Sequence, residues 1–208
     1  MIEQDMITTS WWWIRHAPVV NPRGRIYGQL DFEADLSDQE GFDTLVRVLP
    51  EEAVWVTTPL RRARDTADRL KSLMSDKTDT PEAHSLLEQN FGDWEGASWD
   101  EIPKEVGDAY WKDPARNPVP NGESFTDLVK RVSDTIEQMN NIHTGKQIVA
   151  VAHAGSIRAA ISHALGNDAG AGLAFQLAPL SLSRIDAIHQ GENTWWRVLG
   201  VNQYGGCR

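Results

Sequence analysis

Cysteine is nearly absent: the chain has 208 residues and one cysteine, Cys207, beside its C-terminus. One thiol cannot close an intramolecular disulfide, so folding does not depend on an oxidising compartment. A residue so near a terminus is also a poor reactive centre. Long apolar runs are lacking too. No stretch approaches the roughly 20 residues of a membrane-spanning helix, which argues against a membrane partner. Met1 to Ser10 carries Glu3 and Asp5 and lacks the basic-then-apolar order of a signal peptide, so it reads as a solvated lead-in to a cytoplasmic protein. Basic residues are in short supply: 20 Lys and Arg against 30 Asp and Glu leave a formal net charge of -10. Such a chain repels nucleic acid and anionic membrane surfaces. Metal-ligand spacing is missing from its histidines, and His84, His143, His163 and His189 read as structural or solvated. The glycines of Gly166 to Gly172 lack the lysine of a P-loop and read as a flexible loop. There is no internal repeat, low-complexity tract or linker.

What the chain does have is an alternation of buried strands and amphipathic helices. Trp11-Trp12-Trp13-Ile14-Arg15-His16 is apolar and then abruptly polar, the pattern of a buried strand ending at Arg15 and His16. Pro18, Pro22, Gly24 and Gly28 make Ala17 to Asp35 a loop. Ser37 is placed to cap a helix running to about Leu49. Ala53 to Thr57 is a second strand. Thr58-Pro59 then supplies a capping side chain and a proline at the first helical position. The helix that follows carries Leu60, Ala63, Ala67, Leu70 and Met74 on one face. A short extended piece at Ser85 to Leu87 leads into Glu88. Trp94 to Gly122, rich in Trp, Asp and Pro, reads as a helix plus an irregular excursion, and Phe125, Leu128, Val132, Ile136 and Met139 stripe the helix after it. Gln147 to Ala152 is the clearest buried strand and ends at His153. Ala154 to Leu165 is helical, and Ser181 to Ile188 and Thr194 to Val201 read as a closing hairpin around Gln190-Gly191. The nine tryptophans belong mostly to the core, with Trp99 and Trp111 set apart in the excursion. The expected fold class is α/β: a single three-layer domain over residues 1–208, with a mainly parallel sheet and helices on both faces. The 94–122 excursion is expected to form a lid.

In such sheets ligands sit at the carboxyl ends of the strands. His16 and His153 each end a buried strand, Arg15 precedes the first, Arg62 lies in the first turn of the helix after the second strand, and Glu88 closes another segment. If they converge, the group suits phosphoryl transfer. A neutral imidazole attacks phosphorus. Guanidinium groups match phosphate oxygens bidentately and neutralise charge on the equatorial oxygens. A carboxylic acid, kept protonated by burial or by anionic phosphate nearby, donates to the leaving oxygen. The amides opening the Ala154 helix turn a positive dipole end toward an anion. No metal or cofactor is required. Glu95 is the rival proton donor, and Arg61 and Arg64 read as members of a solvated helix face.

These residues lie within blocks that resemble the histidine-phosphatase (phosphoglycerate-mutase-like) superfamily. Arg15-His16-Ala17-Pro18 is similar to its Arg-His-Gly motif, with Ala17 in place of the glycine. Thr58-Pro59-Leu60-Arg61-Arg62-Ala63-Arg64-Asp65-Thr66 is similar to its Ser-Pro-Leu-x-Arg-Ala-x-x-Thr helix start. Leu87 to Gly96 resembles its Leu-x-Glu-x-x-Phe-Gly-x-Trp-Glu-Gly segment, and Gly122-Glu123-Ser124 and Ala152-His153-Ala154-Gly155 match two further blocks in the family's order. The resemblance implies that His16 is the phosphorylated nucleophile, that Arg15, Arg62 and His153 complete the phosphate pocket, and that Glu88 is the proton donor. Across a one-residue deletion, Asn21 matches the family's phosphate-contacting asparagine. Gly28-Gln29-Leu30-Asp31 resembles the phosphatase branch, with Gln29 near the substrate and Ala154 beside it. The closest look is that of the α-ribazole-phosphatase subgroup. The implied function is a metal-independent phosphomonoesterase acting through phosphohistidine on a small phosphate ester, α-ribazole phosphate among them.

Two alternatives stand beside it. A phosphoglycerate-mutase-type phosphotransferase needs a second phosphate-binding surface, which the acidic run Asp100, Glu101, Glu105 and Asp108, against Lys104 alone, disfavours. A non-catalytic phosphate-binding module has no need to retain all five pocket residues. The partner expected is a small phosphorylated substrate.

Overall fold

The computed structural model describes residues 6–20, 24–166 and 168–203. The tryptophan run lies in strand β1 (Ile7–Arg15), whose six residues from Thr9 to Ile14 are all buried. The run is continuously apolar because both faces of the strand are covered. Successive side chains still alternate. Trp11 and Trp13 join a core cluster with Phe125, Leu128 and Ile157, whereas Trp12 and Ile14 join one with Phe42, Leu45 and Leu70. The rings of Trp11 and Trp13 stack at 4.9 Å between centroids.

Strands β2 (Val54–Thr57) and β3 (Gln147–Ala152) run parallel to β1, while β4 (Leu182–Gln190) and β5 (Asn193–Gln203) form the expected hairpin and extend the sheet antiparallel. The order across the sheet is β2-β3-β1-β4-β5. Helices α1 (Gln39–Val48) and α2 (Arg61–Met74) cover the Trp12 face. Helix α3 (Lys104–Trp111) belongs to the excursion. Helices α4 (Phe125–Ile142) and α5 (Ala154–Ala164) cover the Trp11 face, with the short α6 (Ala169–Leu173) beside them. The architecture is the expected three-layer α/β domain, with a parallel core to its sheet. Among the described residues no helix is long and apolar enough to cross a membrane.

Four local expectations are corrected. Asp38, not Ser37, caps α1, because its carboxylate accepts from the Gly41 amide at 2.9 Å. Ser85 to Leu87 is not extended: His84–Leu86 is a 3-10 turn, and the strand-like contact falls earlier, where the Thr57 amide donates to Pro81 and Thr57 accepts from the Ala83 amide. The Gly166–Gly172 loop contains α6, nucleated by Asp168, which accepts from the Gly170 amide. Thr58 does not cap α2: its hydroxyl is taken by His153 at 2.8 Å, and the helix starts at Arg61, whose amide donates to Asp31.

The excursion has a small core of its own, made by Ile26, Trp94, Tyr110 and Val119. Trp11, Trp12, Trp13, Trp55 and Trp94 are buried, whereas Trp99, Trp111 and also Trp195, on β5, are about half exposed. Trp195 escaped the sequence reading because the outer strand β5 exposes alternate residues. Cys207 lies outside the described residues.

Candidate active site

Sheet register brings the two histidines together. Arg15 pairs with Ala152, Thr57 pairs with Val151, and the His16 amide continues the ladder by donating to Ala152 at 2.9 Å. His16, Thr58 and His153 therefore leave the carboxyl ends of three adjacent parallel strands at the same level. The two imidazoles are buried, with 5.2 Å between ring centroids.

The hydrogen bonding of His16 settles its tautomer. Its Nδ1 lies 2.6 Å from the carbonyl oxygen of Ala17. A carbonyl only accepts, so Nδ1 carries the hydrogen and Nε2 holds the lone pair. Burial, then Arg62 and Arg15, push its pKa down to about 3, against the pull of the Ala17 carbonyl. The ring is thus neutral at pH 7. Burial, with His16 and the nearby arginines, also drives His153 well below the ordinary histidine value.

The guanidinium groups are held by backbone. Arg62 donates to Leu30 at 2.6 Å and Gly28 at 2.5 Å, lies with its Cζ 4.9 Å from the Tyr27 ring centroid, and is fully buried. Burial lowers its pKa and Glu88 opposes that shift, but guanidinium remains a cation at neutral pH. Arg15 donates to Leu177 at 2.6 Å. The Nε–H groups of Arg15 and Arg62 are buried without a protein acceptor among the described residues. A buried unsatisfied donor costs about 1–3 kcal/mol, so this is an environment that favours an oxyanion.

The two candidate carboxylates differ in what they hold. Glu88 accepts from its neighbour Gln89 at 2.9 Å and from Gly155, at the start of α5, at 2.9 Å. Residue 155 must be glycine for this approach, because a Cβ there would run into the Glu88 carboxylate. Glu88 is thereby tied to the turn just after His153. Glu95 instead accepts from Gln29 at 2.8 Å and Phe91 at 3.2 Å, so it braces the loop whose carbonyls hold Arg62.

Of the residues singled out from sequence, Arg15, His16, Arg62, Glu88, His153 and Ala154 come together, with Ala154 opening α5. Gln29 joins them through its side-chain amide, which donates to the Glu88 carbonyl at 2.9 Å. Asn21 lies outside the described residues. Arg61 and Arg64 pair outward with Glu33 and Glu82. Among the described residues no group of three or more His, Cys, Asp and Glu is placed to hold a metal.

Sequence reasoning missed Thr58 as the partner of His153. It also missed Thr66, whose hydroxyl accepts from the Ala17 amide at 3.0 Å and so steadies the residue after His16. Both sit in the Thr58–Thr66 block, and that was the available signal. Arg158, one turn into α5, was missed as well; it donates to Phe175 at 2.7 Å and lies within electrostatic reach of Glu88 and Arg15.

The family model of the histidine phosphatase superfamily (branch 1) matches residues 11–202. A metal-independent phosphoserine phosphatase of Arabidopsis thaliana is 32% identical over 161 residues, 70% of this chain. The match spans 64% of that relative, less than two thirds of its length. A mycobacterial glucosyl-3-phosphoglycerate phosphatase has the same fold, with a TM-score of 0.79 at 23% identity over 93% of this chain and 98% of that one. An Escherichia coli protein with a provisional alpha-ribazole-5'-P phosphatase name matches with a TM-score of 0.78 at 24% identity, over 94% and 98%. At those identities the likeness is one of fold. With the motif blocks in order and the family model matched over residues 11–202, the chain belongs to the histidine phosphatase superfamily (branch 1).

Proposed function

We propose that the protein is a metal-independent phosphomonoesterase that transfers a phosphoryl group from a small phosphate ester to His16 and then to water. The observation that carries this reading is the His16 ring: neutral, buried, and locked by the Ala17 carbonyl into the tautomer that leaves Nε2 free to attack. Nε2 forms a bond to phosphorus as the ester P–O bond breaks, and the departing oxygen takes a proton from Glu88. The Glu88 carboxylate then accepts a proton from water as that water attacks phosphorus and Nε2 departs, which restores both groups. Arg15, Arg62 and His153 hold the non-bridging oxygens, where negative charge must be stabilised through the transition state. The cationic side chains supply charge that a metal would otherwise bring. Thr58 orients His153.

Ala154 and Gln29 are proposed substrate contacts, at the opening of α5 and on the Glu88 backbone, and Asn21 is retained from the motif. The excursion 94–122 is proposed as a lid that selects among esters. The relatives' names supply the candidates: phosphoserine, glucosyl-3-phosphoglycerate and α-ribazole phosphate. Nothing in the chemistry needs an oxidising compartment, and we place the enzyme in the cytoplasm.

The test is chemical trapping. Rapid quench with phosphorus-labelled substrate should leave a base-stable, acid-labile label on the His16 peptide, and His16→Ala should abolish both label and turnover. Label on His153 reverses the assignment of nucleophile, and turnover with no trapped label on either histidine argues for direct attack by water.

A further inference from the structure

The block Gly122-Glu123-Ser124 has no part in the chemistry above. Ser124 caps α4, its hydroxyl accepting from the Asp127 amide. The glutamate does something else. Its Oε2 accepts from Nε of Arg131 at 3.0 Å, and its Oε1 accepts from Nη2 of Arg131 at 2.6 Å and from the Asn90 amide at 2.8 Å. The rest of the Arg131 guanidinium turns to backbone. Nη1 donates to Ser85 at 2.7 Å and Leu87 at 2.9 Å, and Nη2 donates to Glu88 at 2.9 Å. A guanidinium has five N–H groups in a rigid fork, and here all of them go to one counter-ion and one stretch of main chain. The ion pair is mostly buried.

Leu86 is buried in the core and Ser85 accepts from the Thr135 hydroxyl at 2.5 Å, so the stretch is anchored just before Glu88, and Arg131 holds the main chain beyond that anchor. Its 3-10 turn ends at Leu86, and the strand-like contact with Thr57 lies farther back, at Glu82. The carbonyls of Leu87 and Glu88 are met instead by Arg131, with Gln29 as the second donor to Glu88. Glu88 sends its carboxylate across to Gly155 from this clamped backbone. A proton donor works only within hydrogen-bond reach of the leaving oxygen, and a misplacement of about 1 Å costs on the order of 10²-fold in rate.

We infer that Arg131, oriented by Glu123, is a positioning residue that sets the main chain of Glu88 and so the place of the proton donor; the inference rests on the proposed role of Glu88. Lysine is not a substitute, since its compact ammonium cannot span three carbonyls and a carboxylate.

The experiment compares Arg131→Lys, Glu123→Gln and Glu88→Gln on two substrates. 4-Nitrophenyl phosphate has a leaving group that needs little proton donation, and glycerol 2-phosphate has one that needs it. The quantity read is the ratio of kcat/KM for the two esters. Both are measured on the same preparation, so partial unfolding cancels. Arg131→Lys should depress the alkyl ester at least ~10-fold more than the aryl ester, with the loss in kcat. Glu123→Gln should shift the ratio the same way by a smaller factor. The inference is overturned if Glu88→Gln shifts the ratio while Arg131→Lys leaves it unchanged, since the arginine would then be structural only. If Glu88→Gln itself slows both esters equally, the acid assignment fails first and takes the inference with it.

Discussion

Lowering the pH should destabilise this protein through His16, and the size of the loss follows from its burial. In the folded state desolvation, Arg62 and Arg15 hold the imidazole at about 3, from an ordinary value of 6.5. The folded value lies below the unfolded one. The contribution is therefore intact above pH 6.5 and is lost progressively as pH falls toward 3, because the unfolded chain takes up a proton that the folded chain refuses. Between pH 7 and pH 4 this linkage amounts to about 3 kcal/mol from this one ring. Domain stabilities run to about 5–15 kcal/mol, so the effect is measurable and large. Urea unfolding followed by tryptophan fluorescence at pH 7 and pH 4 reads it directly. Carboxylates and His153 also titrate, so the control is His16→Gln, which keeps most of the volume and cannot be protonated in this range. The wild type should lose about 3 kcal/mol more than the variant over the same interval. Equal losses in the two proteins would refute the argument, since they would mean that His16 takes up its proton in the folded state as readily as in the unfolded one. A histidine NMR titration tests the same ring, whose resonance should stay flat from pH 8 to pH 5.

Three other outcomes follow from the same geometry. Thr58→Val leaves Nε2 of buried His153 without its partner and should cost about 1–3 kcal/mol in stability together with a fall in kcat, whereas Thr58→Ser, which keeps the hydroxyl, should restore most of both; an unchanged rate in Thr58→Val would remove Thr58 from the site. Turnover should survive dialysis against EDTA, and a collapse rescued by magnesium or zinc would sink the proposed mechanism. Trp99 and Trp111 are half exposed, with 5.5 Å between their ring centroids, so Trp99→Ala or Trp111→Ala should reorder a panel of phosphoserine, phosphoglycerates and α-ribazole phosphate more than it lowers Tm; a large drop in Tm with an unchanged order would make them packing residues and not part of a lid.

The sequence by itself determined the alternation of strands and helices, because each depends on near neighbours. Ile148 to Ala152, in the Gln147–Ala152 strand, is a single apolar run, and the α2 and α4 stripes repeat at the helical period. It also placed His16 and His153 at strand ends, where a buried strand turns polar. Short-range signals misled where a polar side chain had a distant alternative. Thr58 looks like a helix cap beside Pro59, but in the fold its hydroxyl serves His153, 95 positions away. Ser85 to Leu87 looks extended by composition, yet the carbonyls of Ser85 and Leu87 are taken by Arg131 on α4.

Tertiary structure alone decided which strands are neighbours, and so whether the two histidines meet. It decided the tautomer of His16 through the Ala17 carbonyl and the pKa through burial. It also set the different partners of Glu88 and Glu95: Glu88 accepts from the Gly155 amide at the start of α5, and Glu95 from the Gln29 and Phe91 amides. The physical reason is common to these cases: periodicity is a property of consecutive residues, while a buried donor or acceptor takes whichever partner the packing of distant segments brings within about 3 Å.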